Sequence, residues 1–578
     1  MISLYNKRLK CPRPSLFREN FVLLNGLWGF AFDDQNKGES LNYNHGFNKQ
    51  KDILVPFTFE TAASLVNDQT RHDYLWYQRY LEISKNENER LLLHLEGLDY
   101  IGKIFLNGKL VGKTKGAYFR HTLEITDFVH EGRNLLVIKC EDDYSKEKLR
   151  GKQRSRDESY ECFYVPTTGI YKDVWLEKVP LSYISHVRID PHLTTKTLEL
   201  EVETDNAVGK TFMVRVLSDN VLIASNETII DKDVIKIATS LKQVTPWSPE
   251  HPFLYDLEFI IKEGGQIIDQ VFSYCGFRSI NAKKAKVYLN GQEFYQKLVL
   301  DQGYWKHTNL TAPNVQALED DIKKMQAFGF NGCRKHQKIE EERFLFLADV
   351  LGFITWVEVP SAYEFSQAMM DNYMHELPHI LKQNYNHPCV ITWTLFNESW
   401  GIRDILTNQE IQDFTVRAYQ LTKAYDPYRF VISNDGWEHT ISDIITFHHY
   451  EQDADKLFSY YQDQEKALTE VWQSHWKGAF AQGYHYQGQP IIFSEFGGTA
   501  FKKNVDDKNW GYGEAVVNDK QYIERVCSLI KSLQNLPYLA GYCYTQVSDV
   551  EQEVNGLLDH DHEAKVDANQ IKATQDLK

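Results

Sequence analysis

The sequence of 578 residues has few cysteines and no long apolar run. Its eight cysteines are scattered without a Cys-x-x-Cys pair, which argues against a disulfide scaffold and predicts buried reduced thiols. No stretch approaches the roughly 18 apolar residues of a membrane-spanning helix, so we expect no membrane partner. The histidines lack the His-Glu-x-x-His spacing of a zinc site, and we predict no metal and no other cofactor.

Positive charge is also scarce, because 64 Lys and Arg face 80 Asp and Glu and leave a net charge of −16. This balance argues against nucleic acid as a partner. One basic stretch, RGKQRSR at 150–156, is interpreted as a solvated loop, since no aromatic residues interrupt it. The amino terminus, MISLYNKRLKCPRPSLF, has no apolar core of a signal peptide, so a cytoplasmic protein is expected.

Two β domains are predicted before residue 279. Residues 1–180 contain short alternating runs with hairpin-turn signals, which predict a jelly-roll-like β-sandwich. In residues 181–278, the run TLELEVET at 197–204 alternates apolar residues with glutamates, a period of two that is typical of a sheet with one wet face. An immunoglobulin-like β-sandwich is expected there.

Residues 279–578 alternate strand and helix patterns. Leu318, Ile322 and Met325 recur at helical spacing behind a candidate cap at Asn314. Eight apolar strand segments can be counted, from LVLDQG at 298–303 to LAGYCYT at 539–545. The segment is therefore predicted to be a (β/α)8 TIM barrel, and the fold class is multidomain β plus α/β.

Two of these predicted strands end in glutamate. ITWTLFNESW at 391–400 carries Glu398 on the fourth strand, and IIFSEFGG at 491–498 carries Glu495 on the seventh. The carboxyl ends of barrel strands form the active-site face of this fold. Because glycoside hydrolysis uses one carboxyl group as proton donor and one as nucleophile, we predict that these glutamates are the catalytic pair.

Motifs from one end of the chain to the other support this prediction. NGLWGFAFD at 25–33, WYQRYLEI at 76–83 and GIYKDVWLE at 169–177 are similar to the sugar-binding β domain of one enzyme family, and NHPCVITWTLFNES at 386–399 is similar to its acid/base signature. The sequence resembles glycoside hydrolase family 2, which contains β-galactosidases, β-glucuronidases and β-mannosidases. The resemblance covers about residues 10–560.

The resemblance implies a role for each of five residues. Glu398 would be the general acid/base and Glu495 the nucleophile of a retaining double displacement through a covalent glycosyl-enzyme. Asn397 would bind the sugar 2-hydroxyl, Arg334 would brace the nucleophile, and Tyr450 would contact it.

Further residues at the ends of predicted strands are expected to bind substrate. Gln302, Asp435, Trp437, Asp443, Gln546, Asp549 and Glu551 are weaker candidates, and one of two neighbouring histidines at the sixth strand, His448 and His449, is expected to face the pocket. The expected substrate-binding residues are Asp301, Trp305, His336, Glu358, His449 and Tyr544. The chain has Lys-His-Gln-Lys after Arg334, where the family often has Ser-His-Tyr-Pro, and Tyr544 where many relatives have Trp.

The expected activity is that of an exo-acting β-glycosidase, with β-galactosidase first on family frequency. β-Glucuronidase is the nearest rival, although VNGLLDHDHEAK at 554–565 lacks the Asn-x-Lys motif that grips a uronate in that branch, and the acidic segment 549–553 would repel one. β-Mannosidase and arabinosidase activities remain open. From another class, an inactive carbohydrate-binding homologue is the alternative. The expected partner is a carbohydrate, and a homo-oligomer is an open expectation.

Overall fold

The amino-terminal domain in the computed structural model, which describes residues 4–471, 476–501 and 509–578, is a β-sandwich. Its strands β1 to β12 are Phe21–Leu23, Gly26–Phe32, Lys51–Val55, Tyr74–Ile83, Glu89–Leu95, Leu98–Asp99, Ile101–Leu106, Lys109–Lys115, His121–Glu124, Gly132–Glu141, Gly169–Ile170 and Val174–Pro180. A four-stranded sheet, β1-β12-β5-β9, and a six-stranded sheet, β3-β2-β4-β10-β7-β8, share one apolar core. Short 3-10 helices lie at Pro14–Leu16, Tyr43–His45, Ala62–Ser64 and Thr126–Phe128.

The second domain is also a sandwich of two antiparallel sheets. Its strands β13 to β19 are Tyr183–His192, Thr197–Asp205, Thr211–Ser218, Val221–Ile229, Val234–Ser240, Tyr255–Glu263 and Gln266–Cys275. The sheets run β13-β14-β17 and β16-β15-β18-β19. In β14 the predicted alternation is confirmed, because Leu198, Leu200 and Val202 are buried while the intervening glutamates reach towards solvent. A small sheet of β20 to β22, at Ile280–Lys283, Lys286–Leu289 and Gln292–Glu293, leads into the third domain.

The third domain is the predicted parallel barrel. Its strands are β23 to β29 at Gln296–Asp301, Gly332–Lys335, Ile354–Glu358, Val390–Thr394, Phe430–Ile432, Ile445–His449 and Ile491–Gly497, followed by β32 at Leu539–Thr545. The sheet order β27-β26-β25-β24-β23-β32-β29-β28 keeps neighbours in the chain as neighbours in space. An excursion of two short strands, β30 at Thr499–Phe501 and β31 at Tyr512–Val516, follows the seventh barrel strand.

Helices surround these strands. Helices α1 to α9 are Tyr5–Arg8, Val315–Ala327, Glu342–Leu351, Gln367–Asn384, Gln409–Tyr425, Ala454–Tyr461, Gln464–Thr469, Asp519–Gln534 and Ala568–Gln575. The side chain of Asn314 caps α2 by accepting from the amide of Ala317 at 3.0 Å, as predicted, and Leu318, Ile322 and Met325 form its buried face. The predicted architecture of two sandwiches and a barrel is confirmed. Within the described part of the chain, no helix has both the length and the apolar character needed to cross a membrane.

Candidate active site

Glu398 and Glu495 lie beside each other at the carboxyl end of the barrel strands. Glu398 follows β26 in a loop, where its backbone is left-handed with φ 51°, and its amide donates to the carbonyl of Asp435 at 3.0 Å. Glu495 lies within β29. One carboxylate oxygen of each glutamate lies within 4.8 Å of the other. Carboxyl groups about 5–5.5 Å apart are typical of retaining glycosidases, because no water fits between them.

Glu495 is held as a carboxylate. Nη1 of Arg334 donates to its Oε1 at 2.9 Å, and the Tyr450 hydroxyl donates to its Oε2. Burial alone raises the pKa of Glu495, but the positive charges of His448 and Arg334 outweigh burial and lower this pKa to about 2. Glu495 is therefore ionised at neutral pH although its side chain is almost fully buried.

Arg334 is the centre of the polar network beneath the pair. Its buried guanidinium donates to Oε2 of Glu358 and to Oδ1 of Asn397, each at 2.6 Å. The same group lies 2.6 Å from Oδ2 of Asp435. The rigid fork of donors on a guanidinium allows one residue to hold three carboxylates and an amide, which a single ammonium group cannot do.

His448 lies between the carboxylates of Glu398 and Glu495. Its Nδ1 lies 2.8 Å from Oε1 of Glu398, and its Nε2 lies 3.1 Å from Asp435 and 3.7 Å from Glu495. Burial alone lowers the pKa of His448, but Glu495 and the hydrogen bonds with Asp435 and Glu398 raise this pKa to about 10. The imidazole is therefore a cation at neutral pH, and its two N–H groups face Glu398 and Asp435.

His449, the histidine we predicted, lines the cavity that Glu398 also lines, and its contact with substrate stays a prediction. Its Nδ1 lies 3.1 Å from the hydroxyl of Tyr461. His448 is the histidine beside the two glutamates, because a register shift between Phe447 and His448 places it opposite Glu495 of β29.

Only one of the two polar atoms of the Asn397 side chain forms a hydrogen bond among the described residues. Its Oδ1 accepts from Arg334, whereas its buried Nδ2 has no hydrogen-bond partner among the residues the structure describes. Leaving such a group unpaired costs about 1–3 kcal/mol. A hydroxyl group of a bound sugar next to Glu398 would satisfy it.

Glu358 and His336 lie behind Arg334. Glu358 accepts from the backbone amide of Gln337 at 3.1 Å and from its side chain at 2.8 Å. Nδ1 of His336 lies 3.1 Å from Glu358 and 4.0 Å from Glu495. Gln337 belongs to the Lys-His-Gln-Lys run that follows Arg334, so this run supplies two of the hydrogen bonds that hold Glu358.

Asp301 and Trp305 are engaged with protein partners. Asp301 lies 2.7 Å from Nζ of Lys335 and accepts from the amide of Gly303 at 2.8 Å. The Trp305 ring stacks on His562 with centroids 5.8 Å apart. Their predicted contact with substrate stays a prediction.

Tyr544 faces away from the pocket, and its predicted contact with substrate was wrong. The side chain is fully buried, with its ring against Phe496 at a centroid distance of 5.5 Å. A methyl group added at Gly497 would come within 2.3 Å of this ring. Because side chains alternate along a strand, the next residue is the one that reaches the site: Oγ1 of Thr545 lies 3.2 Å from the Tyr450 hydroxyl.

Of the weaker candidates, some lie beside the glutamates and others do not. Asp435 is part of the Arg334 network, and the Trp437 ring lies 5.5 Å from that of His448. Asp443 instead accepts from Tyr419 at 2.6 Å, away from these contacts.

A cavity of about 1040 Å³ opens beside Glu398. Its volume suits one or more sugar rings. It is lined by Glu398, Trp437, His448, His449, Tyr450, Glu451, Gln452, Asp453, Ala454, Asp455, Lys456, Tyr512, Gly513, Glu514, Arg525 and Ser528.

The basic segment 150–156 is not a solvated loop, and that interpretation was wrong. Residues 150–154 are buried against the barrel. The amides of Arg150 and Gly151 both donate to the carbonyl of Ser361 at 3.0 Å. The docking buries Lys152, whose Nζ lies 4.9 Å from the centroid of the Trp400 ring. Sequence reasoning missed this residue.

One group of side chains among the described residues has the spacing of metal ligands. It consists of Glu398, His448 and Glu495, the same groups that form the catalytic pair and its histidine. Since Arg334 and the protonated His448 already supply positive charge here, a metal would compete with them. That no metal takes part stays a prediction.

The three domains match three family profiles. Residues 50–184 match the glycosyl hydrolase 2 galactose-binding domain-like profile, residues 182–278 the glycosyl hydrolases family 2 profile, and residues 280–577 the glycosyl hydrolases family 2 TIM barrel domain. Together these matches cover most of the described chain.

Curated relatives carry two activities in their names. A putative beta-glucuronidase of Formosa agariphila is 28% identical over 65% of this chain and 46% of its own length. A beta-galactosidase of Thermoanaerobacter pseudethanolicus is 24% identical over 57% of this chain and 45% of its own length. The chain thus spans about half the length of these curated relatives.

Solved structures share the whole fold. A beta-glucuronidase of an uncultured Clostridium superposes with a TM-score of 0.78 at 18% identity, covering 98% of this chain and 99% of the other. The Ruminococcus gnavus beta-glucuronidase superposes with a TM-score of 0.80 at 17% identity over 97% and 99% of the two chains. The likeness at these identities is one of fold. With all three domain profiles matched in order, the chain belongs to glycoside hydrolase family 2.

Proposed function

We propose that the protein is a retaining, exo-acting β-glycosidase in which Glu495 is the nucleophile and Glu398 the general acid/base. The observation that carries the proposal is the separation of the two carboxylates, within 4.8 Å between oxygens. This distance suits direct attack by one carboxylate and protonation by the other, without an intervening water.

In the first step, Glu495 would attack the anomeric carbon while Glu398 donates a proton to the departing glycosidic oxygen. The C–O bond to the leaving group breaks and an ester bond to Glu495 forms. In the second step, Glu398 would take a proton from water, which attacks the same carbon and releases the sugar and free Glu495. Both steps together invert the anomeric centre twice and retain its configuration.

The neighbours of the pair suit these steps. Arg334 and Tyr450 fix the attacking carboxylate through one hydrogen bond to each oxygen. The preorganised donors do not need to reorganise as charge moves from Glu495 to the leaving group. Asn397 would bind the 2-hydroxyl through Nδ2, a contact that strengthens in the transition state.

Two sugars are candidates. A β-galactoside is the first expectation from sequence, and relatives named beta-galactosidase support it. A β-glucuronide is supported by relatives named beta-glucuronidase and by Lys152, a buried cation whose Nζ lies 4.9 Å from the centroid of the Trp400 ring. β-Mannoside and arabinoside activities are third. An inactive carbohydrate-binding homologue is disfavoured because binding alone does not require a buried, ionised Glu495.

A panel of 4-nitrophenyl β-glycosides tests the activity. We expect turnover of at least one sugar, and a Glu495→Gln variant that folds but is inactive. A 2-deoxy-2-fluoro glycosyl fluoride of the accepted sugar should add its mass to the peptide that contains Glu495. No turnover on any sugar would sink the proposal, and labelling of another residue would overturn the assignment of the nucleophile.

A further inference from the structure

Lys152 approaches the loop of Asn397, Glu398 and Trp400 from another domain. It belongs to the amino-terminal sandwich, yet its side chain is 8% exposed and lies against Trp400, whose amide donates to the carbonyl of Asn397 at 2.9 Å. Burial alone lowers the pKa of Lys152, but Cys162 and the carboxylates Glu553, Glu495 and Glu398 raise it. Lys152 is therefore a buried ammonium ion.

The segment that carries Lys152 is held by hydrogen bonds to the barrel and to its own domain. Besides the two hydrogen bonds to Ser361, the carbonyl of Gly151 accepts from the hydroxyl of Tyr363 at 2.7 Å. Gly151 has φ +60°, and an added methyl group would meet the carbonyl of Gln337 at 2.3 Å, so only glycine fits. The carbonyl of Lys152 itself accepts from the amide of Tyr164 at 2.8 Å.

No protein carboxylate neutralises Lys152 directly. Arg334 and His448 both have carboxylate partners, whereas Lys152 has none within 4.0 Å in the described ranges. Burial raises the pKa of the neighbouring Cys162 to about 11, so this thiol carries no charge at neutral pH. A buried cation without an ion-pair partner is costly, and it is an efficient binding group for a ligand anion.

The acidic segment 549–553, expected to repel an anion, is occupied by protein contacts. Asp549 forms an ion pair with Lys565 at 2.5 Å, and Glu551 accepts from the amide of Val165 at 2.8 Å. Glu553 accepts from the Tyr164 hydroxyl and from the side-chain amide of Asn555. Burial also raises the pKa of Asp549 and of Glu551.

Gln302 and Gln546 connect Tyr164 with Asn555 through a chain of hydrogen bonds. Nε2 of Gln302 donates to the hydroxyl of Tyr164 at 3.0 Å and to Oε1 of Gln546 at 2.5 Å. Gln546 in turn donates to Asn555 at 2.7 Å. The acidic groups of this segment are thus held by protein partners, whereas Lys152 has no carboxylate partner among the described residues.

We propose that Lys152 binds the carboxylate of a terminal β-linked uronic acid and so determines the specificity of the site. The inference rests on the proposed glycosidase function and names its substrate class. The cation would come from the sandwich domain instead of the missing Asn-x-Lys motif after the eighth barrel strand. The carboxylate would pair with the ammonium group and form a charge-assisted hydrogen bond with it.

The test compares 4-nitrophenyl β-glucuronide with the β-glucoside, which differs in having a hydroxymethyl group in place of the carboxylate. We expect wild type to prefer the glucuronide in kcat/KM. Lys152→Gln should lower kcat/KM for the glucuronide by about 10- to 100-fold, the loss expected for a hydrogen bond to a charged group, and change that for the glucoside less than about 3-fold. Lys152→Arg, which keeps the charge, should recover part of the glucuronide activity.

Arg156→Gln is the matched control, because it removes a positive charge from an exposed position of the same segment; it should leave both substrates unchanged. If Lys152→Gln lowers both substrates equally, or if wild type prefers the neutral sugar, the proposal is overturned, although the glycosidase function survives. Preference for a 6-phospho-β-galactoside over the glucuronide would also overturn it, since the anion would then be a phosphate. Turnover of no glycoside at all contradicts the proposed function itself.

A binding experiment on wild type avoids any question about folding of the variant. Free glucuronic acid and glucose are compared as inhibitors of the hydrolysis of whichever glycoside is accepted. We expect glucuronic acid to inhibit at a concentration at least about 10-fold lower. Equal inhibition by the two sugars would contradict a carboxylate-binding Lys152.

Discussion

Nη1 of Arg334 lies 2.9 Å from Oε1 of Glu495, and both side chains are buried. The guanidinium also holds Glu358 and Asp435, so its charge is shared by three carboxylates. Such an arrangement keeps the nucleophile ionised and fixed, and it makes the stability of the barrel depend on the same residue as its chemistry.

Arg334→Gln is therefore expected to damage both stability and activity. Removing one partner of a buried ion pair costs about 3–5 kcal/mol, because the remaining charges lose their compensation. Urea denaturation should give a free energy of unfolding lower by at least this amount, and turnover should be lost. The exposed Arg156→Gln should match wild type in both measurements. An Arg334→Gln protein with wild-type stability would contradict the network described above.

Glu398→Ala is expected to affect substrates according to their leaving groups. General acid catalysis contributes about 10²- to 10⁴-fold, so kcat/KM for an alkyl glycoside should fall within that range. A 2,4-dinitrophenyl glycoside, whose leaving group needs no proton, should retain glycosylation, and added azide should restore its turnover. Glu364→Gln, at an exposed glutamate that pairs with Lys146, serves as control. Equal losses on both substrates would be incompatible with Glu398 as the acid.

His448 predicts a specific dependence of stability on pH. Its pKa is about 10 in the folded protein, above the ordinary value of 6.5. The folded state thus binds this proton more tightly, and the resulting stabilisation is complete below pH 6.5 and disappears as pH rises through 10. The difference in melting temperature between wild type and His448→Gln should shrink from pH 7 to pH 10. A constant difference would show that the imidazole is neutral.

Glu495 predicts the opposite dependence at low pH. Its pKa is about 2 when folded and 4.5 ordinarily. Its stabilisation is therefore complete above pH 4.5 and is lost as pH falls through 2. Comparison of wild type with Glu495→Gln between pH 5 and pH 3 should show a gap in melting temperature that narrows as the pH decreases, and a gap that widens would refute the assignment.

Asn397→Asp tests the Nδ2 group of Asn397 separately from its Oδ1 atom. Aspartate keeps an oxygen that accepts from Arg334 and removes the unpartnered Nδ2. We expect kcat/KM to fall by about 10²-fold for an ordinary glycoside, as for other donors aimed at a reacting substrate. The 2-deoxy glycoside, which lacks the hydroxyl, should lose much less. Equal losses would indicate that Nδ2 does not face the 2-hydroxyl.

The sequence predicted what local patterns determine. Apolar runs and caps such as Asn314 define the strands and helices, and strand ends with glutamate point to Glu398 and Glu495. Which of His448 and His449 lies beside the glutamates depends on a register shift between two strands, and strand alternation decides that Thr545, not Tyr544, approaches Tyr450. These choices depend on a single residue of offset, which hydrophobic patterns do not resolve.

Lys152 was missed for a different reason. Its surroundings come from residues far away in the chain, with Trp400 and Ser361 in the barrel. A run such as RGKQRSR has the composition of a solvated loop, and nothing within it reports that another domain covers it. Contacts between domains leave no periodicity in either partner, so only the three-dimensional structure reveals them.

The carbonyl of Ser361 accepts from two successive amides of the sandwich domain, those of Arg150 and Gly151. These two hydrogen bonds fix the position of the sandwich domain relative to the barrel. An insertion or deletion in the loop after β25 would shift Ser361, and with it the position of Lys152 relative to the glutamates. Changes in that loop would therefore alter domain alignment and sugar preference together, while the strands that carry the catalytic pair stay as they are.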